Sequence, residues 1–306
     1  MTALPSSVPT PQPSAATAAR FEPDLARRKL AGTLFLGAAI FAIGIALLVL
    51  VLLLWDVFTR GLPYLDWDFI TGVPSRRPAN AGVWPAILGS LYIGVITAVI
   101  TFPIGVAAAL YLEEYAPRSR FTRLLRTNIS NLAGVPSIIY GVFGLALFVR
   151  ALSLGYTLIS GALTLSLLIL PVVIIASMEA IRAVPDSQRE GAYALGATRW
   201  QMVRQAVLPA AAPGIMTGII LSMARAIGET APLILVGAVT FVTYPPNPVQ
   251  GGYTVLPIQI FQWASRPQEA FQAIAASAII VLLVLLLILN MLALYLRARL
   301  SRHLQW

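Results

Sequence analysis

The sequence predicts an all-α polytopic membrane protein with six transmembrane helices. Of its 306 residues, 58% are hydrophobic and 11% are charged, whereas soluble domains carry about 25% charged residues. The apolar residues are gathered in long runs, and about 20 such residues span a bilayer as a helix. The basic residues fall mainly between these runs and not in one patch, so the net charge of +9 does not indicate a nucleic-acid-binding protein.

The N-terminal segment, residues 1–28, is predicted to be a disordered cytoplasmic tail. It is rich in Pro, Ala, Ser and Thr, and such a composition cannot bury enough apolar surface to fold. The next run, Leu30–Trp55, has 26 residues without a charge. Because the apolar part of a signal peptide has only about 7–15 residues, this run predicts the first transmembrane helix.

Five further apolar runs complete a membrane domain predicted at residues 29–300, with its core at about 84–296. They are Val83–Leu112, Leu132–Val149, Leu154–Ile181, Gly214–Val239 and Phe271–Leu296. The segment Gly134-Val-Pro136 and Pro171 are predicted to kink their helices, because proline cannot donate the helical hydrogen bond. Residues 301–306 form a predicted C-terminal tail, and the single histidine, His303, argues against a histidine-based metal site.

The basic residues predict the orientation in the cell membrane. Six spans place both termini on one side, and fifteen Arg and Lys residues lie in the segments on that side against five on the other. Because cytoplasmic segments are enriched in Arg and Lys, both termini are predicted to be cytoplasmic. At the cytoplasmic end of the second span, Glu113 and Glu114 are predicted to pair with Arg118 or Arg120.

The fifth span contains two opposite charges, Arg225 and Glu229. A charge at the bilayer centre costs at least about 2.5–3.5 kcal/mol on insertion scales, and residues four apart lie on one face of a helix and can pair. We therefore predict a buried pair that handles something polar crossing the membrane. The alternative is a structural salt bridge that locks helices together.

The cytoplasmic loop at residues 184–209 is predicted to display two short helices. Asp186 or Ser187 can cap the first helix, Gly196 can end it, and Thr198 can cap the second, which Pro209 separates from the next span. Aromatic and aliphatic side chains are predicted to alternate with arginines on the displayed surface, which comprises Tyr193, Leu195, Trp200, Met202, Arg189, Arg199 and Arg204. Such a surface fits either docking of a soluble protein or an interfacial helix on anionic lipid.

Three parts of this loop, Glu190-Gly191-Ala192, Gly196 and Leu208-Pro209, resemble the EAA loop of ABC importer permeases. That pattern has Ala at the position of Gly191 and Ile at the position of Ala206, and neither change removes the helix–glycine–helix arrangement. The resemblance implies the type I permease fold, with this loop and Trp200 as the coupling helix that docks on a cytoplasmic ATPase. The chain lacks the G-x-x-x-x-G-K-[ST] phosphate loop, so ATP and Mg are expected on that ATPase and no cofactor on this non-catalytic chain.

Longer stretches resemble the phosphate-specific transporter permeases of the PstA type. They are GVWPAILGSLYIGVITAVITFPIGVAAALYLEEYA, NLAGVPSIIYGVFGLALF and the most specific one, Arg225-Ala-Ile-Gly-Glu229-Thr-Ala-Pro232. The PstC-type sister permease typically has Met where this chain has Ala-Pro. The resemblance implies a phosphate importer that contains this chain, a PstC-type permease, two PstB-type ATPase copies, a PstS-type extracytoplasmic phosphate-binding protein and surrounding membrane lipid.

Phosphate suits the charge pair that the sequence contains. Arginine offers a planar fork of donors that fits phosphate oxygens, so Arg225 is expected to contact the solute. Glu229 is expected to hold Arg225 and to accept a proton from a protonated phosphate oxygen, while Thr230 and Ser222 supply hydroxyls. The alternatives are a permease for sulfate or molybdate, the sister permease of the same system, and a self-sufficient secondary transporter or channel.

Overall fold

The computed structural model describes residues 25–238 and 241–302, and these residues are mostly helical. The predicted disordered tail, except for its last four residues, lies outside this part of the chain. The same holds for His303 and the rest of the predicted C-terminal tail after Arg302, and for Val239 at the predicted end of the fifth span.

The described residues contain twelve α-helices in a fixed order along the chain. They are α1 Leu25–Gly61, α2 Trp67–Thr71, α3 Trp84–Leu110, α4 Arg120–Ala133, α5 Ser137–Gly144, α6 Leu158–Arg182, α7 Asp186–Ala194, α8 Arg199–Met202, α9 Leu208–Gly228, α10 Ala231–Leu235, α11 Leu256–Ala264 and α12 Glu269–Arg302. Wider π-helical turns extend α3 at Tyr111–Tyr115 and α5 at Leu145–Ala151, and another joins α8 to α9 at Val203–Val207.

Five helical segments are long and apolar enough to cross a membrane. They are Arg28–Tyr64, Trp84–Tyr115, Leu158–Arg182, Arg199–Gly228 and Glu269–Arg299. A sixth span is formed if α4 and the extended α5 are counted together, although these two are bent by 99° at the break between them. The predicted all-helical fold with six spans is therefore confirmed, and one of the six spans consists of two helices with a break between them.

The prediction of one helix over Leu132–Val149 is therefore wrong. Helix α4 ends before Gly134, and Pro136 has an extended backbone with φ −55° and ψ 135°. Proline cannot donate a helical hydrogen bond and disfavours a helical conformation in the residue before it, so the segment predicted as a kink is a complete break. Only the part from Ser137 onward continues as a helix.

The chain divides into two compact units at Trp55 and Asp56. In the first unit, α1 carries exposed apolar side chains such as Leu34, Phe35 and Phe41, which suit contact with lipid tails. The centre of the second unit is formed by α3, α6 and α9, and its buried side chains include Leu165 and Ile169 on α6.

Small residues bring α6 and α9 close together. A Cβ atom added to Gly214 would lie 2.9 Å from the Cβ of Ala180, and one added to Gly218 would lie 2.5 Å from the Cβ of Ala176. Two pairs of small residues spaced four apart, one pair on each helix, allow the backbones of membrane helices to approach closely. This packing fixes α9, which carries Arg225, against the centre of the unit.

A second apolar cluster lies at the Trp84 end of α3. It buries Phe69, Trp263 and Phe271 from α2, α11 and α12, and the rings of Phe69 and Trp263 have centroids 6.0 Å apart. The loop at residues 184–209, named the coupling loop below after its predicted role, contacts the opposite end of α3 through Arg189 and Glu114. The coupling loop and the apolar cluster thus lie at opposite ends of α3, as the alternating spans predict.

Candidate functional site

The predicted charge pair lies at a break between two helices. Helix α9 ends at Gly228, Glu229 is extended with φ −73° and ψ 129°, and α10 begins at Ala231. The prediction that Arg225 and Glu229 lie on one continuous helix is therefore wrong. The physical reason is Pro232, because a proline inside a helix clashes with the carbonyl four residues earlier, and that carbonyl belongs to Gly228.

The two charges nevertheless make contact across the end of the helix. The Nε atom of Arg225 donates to Oε1 of Glu229 at 3.4 Å, and the side chains are 56% and 17% exposed respectively. The prediction of a buried pair is thus wrong for the arginine. Within the described part of the chain, the other guanidinium nitrogens of Arg225 make no hydrogen bond, so most of its donors are available to a ligand or to a neighbouring subunit.

The two predicted hydroxyl donors differ in availability. Ser222 is buried and its hydroxyl donates to the carbonyl of Gly218 at 2.7 Å. Thr230 is half-buried beside Glu229, and its carbonyl accepts from the amides of Leu233 and Ile234. The structure therefore brings Thr230 together with the charge pair and leaves the Ser222 hydroxyl engaged within its own helix.

Helix α10 is held in place by close packing on α5. A Cβ atom added to Gly141 would lie 2.7 Å from the Cα of Pro232, and Leu233 is buried. Because both flanks of the break are packed, on α6 through Gly218 and on α5 through Pro232, the backbone around Glu229 and Thr230 is positioned by the protein core.

The first helix of the coupling loop, α7, ends as the sequence predicts. Gly196 has a left-handed backbone with φ +81°, its amide donates to the carbonyl of Tyr193 at 2.9 Å, and the amide of Ala197 donates to the carbonyl of Ala192 at 3.1 Å. These two bonds form the Schellman motif, in which glycine is favoured. The start differs, because Pro185 occupies the cap position and neither Asp186 nor Ser187 caps the helix.

The second helix of the loop begins at the predicted residue. Thr198 and Gln201 form a capping box, in which the Thr198 amide donates to the Gln201 side chain at 2.8 Å and the Gln201 amide donates to the Thr198 hydroxyl at 3.4 Å. It is not a separate helix, however, because one helical segment runs from Arg199 to Gly228. Leu208 and Pro209 lie within this segment, and the π turn directly before them accommodates a proline that cannot donate the usual bond.

The displayed surface of the loop is largely the predicted one. Leu195 is 91% exposed and Trp200 is 58% exposed, and Tyr193, Glu190 and Gly191 are also exposed, while Ala192 is half-buried. Two residues are exceptions, because Met202 is buried in the core at 2% exposure and the side chain of Arg189 is only 18% exposed. Leu195 and Trp200 thus form an exposed apolar surface on a charged loop.

Residues 102–302 match the family described as binding-protein-dependent transport system inner membrane component. The chain belongs to this family. It is 38% identical over 213 residues to the probable ABC transporter permease protein YqgI of Bacillus subtilis, covering 70% of this chain and 72% of the relative. It is 36% identical over 256 residues to the phosphate transport system permease protein PstA 1 of Mycobacterium tuberculosis, covering 82% of this chain and 83% of the relative.

Solved structures support the same fold for this inner membrane component. A chain from a bacterial alginate ABC transporter, crystallised with an alginate pentasaccharide-bound periplasmic protein, superposes with a TM-score of 0.62. The match covers 92% of this chain and 98% of that chain at 18% sequence identity. The predicted ABC importer permease fold and the predicted multi-pass membrane location are confirmed.

An ion pair that the sequence did not reveal attaches the coupling loop of this permease to α3. Glu114, at the end of α3, is buried, and its Oε1 accepts from Nη2 of Arg189 at 2.9 Å. Arg189 also donates to the carbonyls of Ile181 and Val184. The predicted pairing of Glu114 with Arg118 or Arg120 is wrong.

A second arginine of the loop is held at the same place in the permease. Arg199 donates to the carbonyl of Glu114 and its guanidinium lies 5.0 Å from the centre of the Tyr115 ring, a distance at which a cation is attracted to the face of an aromatic ring. Both helices of the coupling loop are thus attached to the end of α3.

Glu113 joins three helices of the permease at the same end. Its Oε1 lies 2.8 Å from Nη1 of Arg126 on α4 and 2.8 Å from Nη2 of Arg182 on α6, which again differs from the predicted partners. Arg182 also pairs with Glu179 at 3.1 Å. No local pattern predicts the two contacts of Glu113, because its partners are 13 and 69 residues away and periodicity reports only neighbours on one element.

Proposed function

We propose that this permease subunit conducts phosphate in an ATP-driven importer of the PstA type. The observation that carries the proposal is the state of Arg225. Its guanidinium is more than half exposed and makes a single long contact to Glu229, within a helix break positioned by α5 and α6. The Mycobacterium tuberculosis relative, named as a phosphate transport permease, supports phosphate as the solute.

Arg225 offers phosphate the donors that it requires. An arginine has five N–H donors in a fixed fork, and the contact with Glu229 occupies only one of them. Bidentate binding of two phosphate oxygens replaces hydration that the anion loses on entering an apolar passage. We therefore expect Arg225 to turn partly from Glu229 to phosphate when the solute arrives.

Glu229 and Thr230 complete the proposed solute site. Glu229 is the less exposed member of the pair, so it holds the arginine in place between transport cycles. Its carboxylate also provides an acceptor for a protonated phosphate oxygen, which sulfate at neutral pH does not offer. Thr230 is the next residue in the same break and carries a hydroxyl, whereas the Ser222 hydroxyl can donate to phosphate only if its bond to the carbonyl of Gly218 opens.

The coupling loop is proposed to dock on an ATPase subunit. Leu195 and Trp200 are exposed at the end of the molecule that the positive-inside rule places in the cytoplasm. The proposed assembly contains this chain with cytoplasmic termini, a PstC-type permease, two PstB-type ATPase copies that bind ATP and Mg, and a PstS-type phosphate-binding protein outside. ATP binding would move the coupling loops and alternate the access to the passage between the two permeases.

The test measures uptake of labelled phosphate in phosphate-starved cells that lack this chain. Wild type should restore uptake that excess sulfate or molybdate does not reduce, Arg225→Ala should not restore it, and the matched variant Arg150→Ala should. If Arg225→Ala restored phosphate uptake as well as wild type, the charge pair would have a structural role only. Restoration of sulfate or molybdate uptake alone would assign the permease to another oxyanion.

The coupling part of the proposal is tested separately with purified complex. Trp200→Asp should reduce the amount of ATPase subunit that co-purifies with the permease pair. Trp67→Asp should not, because Trp67 is also exposed but lies at the other end of α3. Transport by this chain without any ATPase would contradict the importer mechanism and favour a secondary transporter.

A further inference from the structure

A cavity of about 750 Å³ lies at the coupling-loop end of the protein. It is bounded by the end of α3, the start of α4, the end of α6 and α7. Six arginines and three carboxylates line it, namely Arg118, Arg123, Arg126, Arg182, Arg189, Arg199, Glu113, Glu114 and Asp186. Its lining therefore has an excess of positive charge.

Two of the lining arginines account for much of that excess. Glu113, Glu114 and Asp186 are each paired with an arginine other than these two. Arg118 and Arg123 are exposed, and within residues 25–238 and 241–302 neither makes an ion pair. They flank the first turn of α4, where the helix dipole adds further positive potential. A group with negative charge would be attracted to this position.

An apolar groove of about 400 Å³ is lined by two of the helices that bound the charged cavity, α4 and α6. It lies between α4, α5 and α6, and its lining includes Leu132, Ile139, Phe143 and Leu170. A smaller cavity of about 300 Å³ lies between the two and shares Arg126 and Arg182 with the charged cavity and Ile129 with the groove. The three cavities thus adjoin one another along α6, and together they are called the depression below.

The length of this depression matches one leaflet of a bilayer. Along α6 it extends from Arg182 to Leu167, fifteen residues, which is about 22 Å at a rise of 1.5 Å per residue. Half of a bilayer with its headgroups is about 20–22 Å thick. An occupant that is anionic at one end and apolar over the remaining length of a leaflet is a phospholipid.

Helix α4 has the character of a helix that lies in the membrane interface. It is bent by 99° from α5, so it runs across the direction of the neighbouring span. Phe121 and Leu124 are exposed on it beside Arg120 and Arg123. Exposed apolar side chains next to arginines are typical of helices that lie in the interface and contact anionic headgroups.

We propose that an anionic phospholipid of the cytoplasmic leaflet binds in this depression. Its phosphate group lies between Arg118 and Arg123, and one acyl chain fills the groove beside Ile139. The bound headgroup adjoins Arg189 and Arg199, which join Glu114 to the coupling loop, so the lipid stabilises the loop in its docking position. The inference uses the cytoplasmic orientation from the proposed function but not the identity of the transported solute.

The test quantifies lipid that stays bound to the purified permease–ATPase complex by native mass spectrometry. The complex is first equilibrated in nanodiscs of phosphatidylcholine mixed with phosphatidylglycerol. Wild type should retain phosphatidylglycerol, and Arg118→Gln/Arg123→Gln should bind it roughly thirtyfold more weakly, as expected for loss of two basic contacts to an anionic headgroup. Ile139→Trp, which fills the groove, should also reduce retention, while the opposite-side control Arg76→Gln/Arg77→Gln should not.

Several outcomes would overturn the proposal. Equal retention of phosphatidylglycerol by wild type and the double variant would show that the headgroup does not bind at Arg118 and Arg123. Displacement of the lipid by inorganic phosphate would assign the site to the free anion. Retention of inorganic phosphate by the complex in nanodiscs of pure phosphatidylcholine would assign it in the same way. Loss of the second permease from Ile139→Trp with unchanged lipid would show that a protein covers the groove. If the double variant does not assemble, the single variant Arg118→Gln is measured against Arg76→Gln.

These readouts do not depend on transport. Failure of the lipid proposal would therefore leave the phosphate-uptake result untouched, and a permease that carries another oxyanion would still be expected to retain the lipid.

Discussion

Arg189 of the coupling loop and Glu114 of α3 form an ion pair across 75 residues of sequence, with Nη2 2.9 Å from Oε1. The two side chains are 18% and 7% exposed, so solvent screens the pair little. The pair connects the loop that is proposed to meet the ATPase with the end of a membrane-spanning helix. The orientation of the loop is thus set by contacts outside the loop itself.

Replacing Glu114 should loosen the coupling loop. Glu114→Gln leaves Arg189 with only the exposed carboxylate of Asp186, and removal of one partner of a buried ion pair costs about 3 kcal/mol. We expect a lower unfolding temperature of the complex and weaker stimulation of ATP hydrolysis by the binding protein. Asp186→Asn is the control, because Asp186 is 88% exposed in its pair with the same arginine and exposed pairs contribute little. Unchanged stimulation in Glu114→Gln would exclude a role of this pair in coupling.

Two glycines of the loop should respond in opposite ways to alanine. Gly196→Ala places a Cβ on a residue with φ +81°, which costs about 1–2 kcal/mol. Gly191 lies inside α7 with no atom within 4 Å of an added Cβ, so Gly191→Ala should stabilise the helix by up to about 1 kcal/mol. Limited proteolysis of the loop measures both effects. Similar cleavage rates for the two variants would contradict the structure of the α7 C-terminus.

The proposed solute site predicts that arginine cannot be exchanged for lysine at position 225. Arg225→Lys keeps the charge and removes the planar fork. Loss of a hydrogen bond to a charged group costs about 1.5–3 kcal/mol, so phosphate uptake should fall at least roughly tenfold while the amount of assembled complex stays unchanged. Arg150→Lys, at an exposed position, provides the control. Normal uptake by Arg225→Lys at limiting phosphate would argue against direct contact with the solute.

Packing between α6 and α9 should not tolerate a larger residue at position 218. A Cβ at Gly218 already lies 2.5 Å from the Cβ of Ala176, so Gly218→Val forces the helices apart at a cost of about 1–3 kcal/mol. The same substitution at Gly44, where an added Cβ meets nothing within 4 Å, should have little effect. Unfolding temperatures of the two variants in detergent provide the comparison, and equal values would refute the close approach.

The sequence predicts what depends on local chemistry and misses what depends on distant contacts. The apolar runs, the turn at Gly196 and the cap at Thr198 follow from neighbouring residues, and all three are present in the structure. The partners of Glu113 and Glu114 are far away along the chain, and no periodicity reports them. Their identity emerges only when α3, α4 and α6 have packed.

The break at Glu229 could have been predicted from the sequence. Gly228 followed four residues later by Pro232 is a stop signal for one helix and a start signal for the next. The apolar character of Ala231–Leu235 concealed it, since hydropathy measures transfer into lipid and does not distinguish one helix from two. The exposure of Arg225 depends on which surfaces of α9 remain uncovered, and that is a property of the packed helices.

One helical segment, Arg199–Gly228, carries both the proposed ATPase contact and the proposed solute contact. Trp200 lies near one end and Arg225 near the other, separated by twenty-five residues, or about 37 Å. A tilt of about 10° around its middle displaces the two ends by about 3 Å in opposite directions. Under the proposed function, a push by the ATPase at Trp200 would reach the guanidinium of Arg225 as rigid-body motion, without a relay of side-chain rearrangements between them.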